Sequence, residues 1–584
     1  MATTPTTRNP RLADYSADYR MLLLAAMAIV AGTGGAFSAW ALLKLIAFAT
    51  NVLWYGSFSF APAAIAKRGP LLVLLFPIVG GLGVGLMARF GSEKIRGHGI
   101  PEAIETILFG DSKLSLKVAI LKPISSAVSI GSGGPFGAEG PIIMTGGAIG
   151  SLFAQLFRLS AAERKTLLVA GATAGMTGIF GTPFAAIMLA VELLLFEWKP
   201  RSFVPVVTAV LVALAWRPLL VGSGPLFPFA AATPAGIEPV AISAGLGLAT
   251  GLLAAILSFL LYRVEDGFHA LPIHWMWWPA IGAVVVGIGA LFDIRVLGAG
   301  YGVIQELLNG SLVVKAVLLL LIVKAVVWLV ALGSGTSGGI LAPLLILGGC
   351  SGFLVGQYLP GDPGFWAMIG MAGVMSGVMR APMTGALFAA ELTNHLSALP
   401  DTIAAGAAAY AVSVLIMKRS ILTEKIARRG RHISREYTVD ALEFLQAGQL
   451  MTRNPETLRG DMPLDEAARF FAEEASHRSY PVVDEHGRLL GLVSRQDALQ
   501  WRVAGHGEGR LGEALSDAST DFAFPETPCG EVADTMVESG VGRVPVIDQK
   551  TRKVVGIISR QDLLKVRERH KKGEEVRTRG GVAH

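Results

Sequence analysis

The chain has 584 residues, 52% hydrophobic and 16% charged, with a mean hydropathy of +0.55 and a formal net charge of +6. That composition excludes an ordinary soluble enzyme of this size and marks a membrane protein with a more polar appendage. The basic residues are scattered over loops, as at Arg158, Arg164 and Lys165 and in the group Lys425, Arg428, Arg429 and Arg431; this is a topology signal, and no nucleic-acid partner is expected.

The polar segment 1–20 is expected to stay cytoplasmic, because the apolar run from Met21 has no small-residue cleavage site behind it. Apolar runs continue to Met417, among them "LLVLLFPIVGGLGVGLMARF" from Leu71, "AISAGLGLATGLLAAILSFLLYR" from Ala241 and "AVLLLLIVKAVVWLVALG" from Ala316. Each is long enough to cross a bilayer as a helix. Between them lies "GSGGPFGAEGP" at 131–141. A carboxylate at membrane depth costs a few kcal/mol, so Glu139 needs a protected or water-lined place and is a functional-site candidate. Cys350 and Cys529 suggest neither a disulfide framework nor a zinc site, and the scattered histidines form no H-E-x-x-H, so no metal site is expected.

The membrane region repeats itself. "GHG" at 97 faces "GAG" at 298, "GSGGPFGAEGP" at 131 faces "GSGTSGGILAP" at 333, and "GATAGMTGIFGTPFAAIMLAVEL" at 171 faces "GMAGVMSGVMRAPMTGALFAAEL" at 370, at offsets of 199 to 202 residues. The last pair aligns without a gap; Glu192 recurs as Glu391, which points to a structural role in both halves. Glycine-rich membrane segments often serve close helix packing. Duplicated Gly/Pro interruptions also mark transport sites built from broken helices, whose free N–H groups and partial positive charge suit an anion. The pairing of the segments, with Pro suited to a first helical turn, favours the second reading.

In that order and spacing, "GHGIPE" (97–102), "GAEGP" (137–141) and "GILAP" (339–343) resemble the three anion-site motifs of the CLC family of chloride channels and proton-coupled antiporters. The resemblance implies an all-α polytopic membrane domain over 21–430, an inverted repeat with re-entrant half-helices. It further implies a homodimer in membrane lipid, in a cell inner membrane with both termini cytoplasmic. By motif position Glu139 would be the gate, with His98, Gly99, Ala138, Gly140, Ile340, Leu341 and Leu422 around the anion.

Three places depart from the family pattern. His98 stands where the family has serine, either donating an N–H to the anion or lying solvated in a loop beside Arg96. "SILT" at 420–423 puts Leu422 where a tyrosine is usual and removes a phenol donor. Leu193 stands where many antiporters carry a cytoplasm-side carboxylate, with Glu197 one helical turn along the same face as a possible proton acceptor.

Beyond Lys418 the texture becomes polar. A second repeat, "YPVVDEHGRLLGLVSRQDAL" at 480 and "VPVIDQKTRKVVGIISRQDLL" at 544, reads as strand, turn, strand and Ser-capped helix. It resembles a cytoplasmic α+β pair of CBS domains, over 446–505 and 510–572, followed by a disordered charged end at 573–584. Ser494, Asp497, Ser559 and Asp562 then either hold an adenine nucleotide (ATP, ADP or AMP) or simply cap helices. No other cofactor is required.

The leading expectation is permeation of chloride or a similar anion such as nitrate or fluoride, with a voltage-gated-type channel slightly favoured over a proton/chloride antiporter. A CBS-regulated membrane enzyme lacks a nucleophile and base or a metal-ligand cluster, and a Mg²⁺ transporter lacks carboxylates beside Glu139.

Overall fold

A computed structural model describes residues 19–230, 234, 236–431, 433, 442, 445–504, 509–515 and 521–566; residues 1–18 and the charged end lie outside the described residues. The chain divides into a unit formed by 15–435 and a second that contains 436–584.

The first unit is helical. Its first repeat comprises α1 (Arg20–Thr50), α2 (Pro70–Phe90), α3 (Ile100–Phe109), α4 (Leu116–Gly131), α5 (Glu139–Gln155), α6 (Ala161–Phe180), α7 (Pro183–Leu189) and α8 (Pro200–Leu220). The second comprises α9 (Ile237–His269), α10 (Trp278–Phe292), α11 (Tyr301–Leu308), α12 (Val314–Gly333), α13 (Leu341–Gly356), α14 (Pro363–Met379), α15 (Pro382–Leu392), α16 (Leu399–Ile416) and α17 (Ile421–Arg428). Among the described residues, seven helical stretches are long and apolar enough to cross a membrane. α3, α7, α11 and α15 have 10, 7, 8 and 11 residues and, at 1.5 Å per residue, cannot span a hydrocarbon core.

The halves match in packing as well as order: α5 lies on α6 as α13 lies on α14, and α1 on α8 as α9 on α16. Glycine makes the first contact possible. A Cβ on Gly146 would come within 2.4 Å of the Gly171 carbonyl, and one on Gly348 within 2.5 Å of the Gly370 carbonyl. Close backbone approach of this kind needs residues without a side chain.

Local sequence sets the breaks. Ser160 and Glu163 form a capping box at the start of α6, and Gly181 ends that helix at φ +67°. In the second repeat the equivalent place is Arg380, held at φ +55°, whose guanidinium reaches the Ser413 and Met417 carbonyls at the end of α16. Pro183 and Pro382 then open α7 and α15, where a missing N–H costs nothing.

The second unit holds two three-stranded sheets. One has the order β2 (Leu458–Arg459), β3 (Ser479–Val483), β4 (Leu489–Ser494), with β2 and β3 parallel; the other has β1 (Thr452–Arg453), β6 (Val554–Ser559), β5 (Arg543–Ile547) and is antiparallel. Both hairpins turn on an aspartate. Asp484 accepts the His486 and Arg488 N–H groups, and Asp548 those of Lys550 and Thr551, which pulls both carboxyls below their usual range. Helices Leu464–Glu473 and Cys529–Glu538 bury one face each against these sheets.

Candidate functional site

The two half-helices α5 and α13 begin where the repeats cross. Gly137 and Gly339 form an antiparallel bridge, with Gly339 N–H donating to the Gly137 carbonyl at 2.8 Å and Gly137 N–H to the Gly339 carbonyl at 3.2 Å. Two residues on, Glu139 and Leu341 are the first residues of α5 and α13, and Ala138 and Ile340 are their caps. No side chain caps either end, so the first-turn N–H groups of both helices remain free of side-chain partners.

The Glu139 carboxylate is folded back over this bridge. A Cβ on Gly137 would lie 2.0 Å from Oε2 and 2.4 Å from Oε1, and one on Gly339 would lie 2.6 Å from Oε2. The carboxylate fills the seat because both residues lack side chains. It is fully buried, and although the N–H groups of Glu139 and Ala342 are its nearest donors, neither oxygen has a partner of hydrogen-bond geometry. A buried carboxylate in that condition is held by position more than by bonding, and a smaller anion that meets the same N–H groups can displace it.

His98 approaches from the other side. It is 4% exposed, its carbonyl lies so near Gly140 that a Cβ there would be 1.9 Å away, and its Nδ1 is buried without a partner. The solvated-loop alternative for His98 is therefore corrected: the loop is packed against α5 and the ring is inside. Gly99, at φ +87°, faces Gly140 and Met144.

The loop is pinned by a lysine that motif reading passed over. Lys122 Nζ, fully buried, donates to the Ile95 carbonyl at 2.8 Å, the Gly97 carbonyl at 2.7 Å and Ser337 Oγ at 3.1 Å. Its repeat partner Lys324 does the same for the opposite loop, donating to the Val296 and Gly298 carbonyls at 2.8 and 3.2 Å. The signal was present: the lysines are 202 residues apart, the offset of the repeat.

Two cavities approach the seat. One of about 950 Å³ ends at Gly97 and His98 and is lined by Arg96, Glu102, Glu105, Lys425, Arg428, Arg429 and Arg431. Many of its charges are paired, Lys425 with Glu102 at 2.8 Å, Arg429 with Glu102 and Glu105, and Arg431 with Glu105 at 3.4 Å, whereas Arg96 Nε is buried without a hydrogen-bond partner. The other, about 670 Å³, ends at Ala138 and Tyr301.

Leu422 is buried at the start of α17. A phenol does reach this helix start, from Tyr262, but it donates to the Ile421 carbonyl at 2.5 Å. Leu193 is also fully buried. Glu197 does not lie on the same helical face as Leu193, contrary to the sequence reading. The helix ends at Leu195, Phe196 turns left-handed at φ +53°, and Glu197 accepts a bond from Ser202 and sits 3.9 Å from Lys165.

In the second unit Asp497 Oδ2 accepts from the Ser494 N–H and hydroxyl at 2.8 and 2.6 Å, and Asp562 Oδ2 from those of Ser559 at 3.0 and 2.6 Å. The Ser and Asp side chains thus close each strand-to-helix turn on themselves.

Comparison with known proteins bears on the family and the fold. The family model described as voltage gated chloride channel matches residues 79–414, and the CBS domain model matches 447–504 and 521–569. A voltage-gated ClC-type chloride channel ClcB of Citrobacter koseri is 28% identical over 376 residues, 62% of this chain and 89% of the relative. A putative chloride channel protein ClcB-like of Ralstonia nicotianae is 26% identical over 61% of this chain and 85% of its own. Among solved structures, a slow cyanobacterial Cl⁻/H⁺ antiporter aligns with a TM-score of 0.61 at 22% identity over 71% of this chain and 99% of its own. A eukaryotic CLC transporter aligns at 0.60 and 19% over 93% and 98%.

Proposed function

The chain belongs to the voltage-gated chloride channel family, a multi-pass membrane protein of CLC-type anion transport with a CBS pair, and from that premise we propose that it is a chloride-conducting channel gated by Glu139. The observation that carries the reading is the Glu139 carboxylate lying over Gly137 and Gly339 between two half-helix starts, where an anion would compete for the same N–H groups.

The absence of strict proton coupling is read from three neighbours. Leu193 is buried and cannot carry a proton, Glu192 is engaged in hydrogen bonds to α15, and Glu197 is paired beyond the helix end. Chloride is taken as the working anion, with nitrate and fluoride as the competitors. The functional molecule is proposed to be a homodimer in the inner membrane, with the CBS pair cytoplasmic and able to bind an adenine nucleotide.

A reversal potential measured in planar bilayers under a chloride gradient, with and without a pH gradient, tests this. A channel gives a potential set by chloride alone. A potential that moves with pH at fixed chloride identifies a proton/chloride antiporter instead.

A further inference from the structure

Tyr301 is the first residue of α11, in the loop that is the second-repeat copy of "GHGI". The loop is fixed from both sides: Gly298 N–H donates to the Gly133 carbonyl at 3.1 Å, and Lys324 holds the Val296 and Gly298 carbonyls. The ring packs beside Phe227, centroids 5.8 Å apart. Its hydroxyl is buried without a hydrogen-bond partner, next to the Ala138 backbone and near enough to Glu139 to feel its charge.

An orphaned buried hydroxyl costs free energy, and so does an orphaned buried carboxylate. Here Tyr301 and Ala138, the residue before Glu139, line one cavity together. Rotation of the Glu139 side chain off Gly137 toward that cavity brings together the two groups that lack partners. The other charged groups lining that cavity are Lys44, Glu306 and Arg295, the last paired with Asp293 at 2.8 Å.

We propose that Tyr301 is a positioning residue that receives the Glu139 carboxyl when it leaves its seat over Gly137 and Gly339. This rests on the gate reading above. The phenol stabilises the displaced side chain by donating to the carboxylate, or by accepting from it once it is protonated, and so sets how often the seat is vacated.

The test is anion efflux from proteoliposomes as a function of pH for the intact protein, Tyr301→Phe, Glu139→Ala and the double variant. Phenylalanine keeps the packing on Phe227, and a thermal unfolding midpoint equal to that of the unmodified protein checks the fold. The expected result is that Tyr301→Phe lowers efflux about fivefold, the scale of one hydrogen bond, and shifts its pH profile. In the Glu139→Ala background the same substitution should do nothing. Unchanged efflux and pH profile in Tyr301→Phe overturns the proposal. So does an equal loss in both backgrounds, which leaves the gate in place and makes Tyr301 part of the anion path alone. If Glu139→Ala by itself keeps the unmodified pH profile, the gate reading falls first and this one with it.

Discussion

Glu192 and Glu391 each cap the half-helix that belongs to the other repeat. Glu192 accepts the N–H groups of Met383 and Thr384 at 3.2 and 2.8 Å, and Glu391 those of Phe184 and Ala185 at 3.0 and 2.7 Å. The two carboxylates are related by the repeat and fasten α7 and α15 to each other's ends.

Substituting Glu391 by alanine removes two charge-assisted bonds, and substituting Glu192 removes three, since it also accepts from the Thr384 hydroxyl at 2.7 Å; the loss should be about 2–3 kcal/mol or more in each. Thermal unfolding in detergent reads the loss, and both variants should lower the midpoint, Glu192→Ala by at least as much as Glu391→Ala. Neither should move the reversal potential. A Glu192→Gln protein of unchanged midpoint that loses a pH-driven potential would show Glu192 to be a proton carrier.

Gly137→Ala should empty the seat without touching Glu139. The added Cβ lies 2.0, 2.4 and 2.5 Å from the Glu139 carboxyl atoms, and these are its three nearest contacts. A flexible side chain yields before a backbone does, so the carboxyl is expelled. Efflux should rise and lose pH dependence, as in Glu139→Ala. Efflux in Gly137→Ala that keeps the unmodified pH profile would place the working position of the carboxyl elsewhere.

Glu139→Gln imitates the protonated side chain and should flatten the pH dependence of anion efflux between neutral and acidic pH. Thermal unfolding of Lys122→Met should show a less stable protein, because the Ile95 and Gly97 carbonyls lose their donor, at about 1–3 kcal/mol for each buried group left unpaired. Lys324→Met should cost a similar amount, since it serves the repeat-related loop.

The CBS pair offers a binding test. Millimolar ATP, ADP or AMP should raise the unfolding midpoint of the second unit, and Asp562→Ala should reduce the rise. Asp562 already closes its own turn with Ser559, so that variant also lowers the midpoint without nucleotide. The comparison must therefore be of shifts, and no shift with any of the three nucleotides would leave Ser559 and Asp562 as helix caps.

Cys529 begins a helix yet is buried, and burial pushes its thiol above the usual 9.0. Cys350 is buried too. A maleimide should label neither in the folded protein and both after unfolding. Since the folded Cys529 thiol ionises later than the unfolded one, raising the pH past about 9 should favour unfolding of the second unit.

The broad architecture was legible because it was written twice. The Gly-Ser-Gly to Pro segments and the 199 to 202 residue offsets point to crossing half-helices, and the hairpin signals point to the CBS pair. Lys122 and Lys324 escaped because each sits singly within an apolar run, where its partners are carbonyls of a distant loop. Tyr301 gives no signal of its own, because the motif it adjoins is marked by its glycines. Glu197 leaves the helical face that its spacing predicts because Phe196 turns left-handed, which nothing in phenylalanine announces.

The Gly137–Gly339 bridge has one consequence for descent. Each half contributes one side of it, so a lone half would need a second copy, meeting it antiparallel, before any seat existed. In one chain the two copies meet without having to find a mate, and each half can differ from the other. Glu139 and Leu341 mark that difference: the first position of one half-helix is an acid and that of its twin a hydrocarbon, so only one side of the bridge can carry the proposed gate.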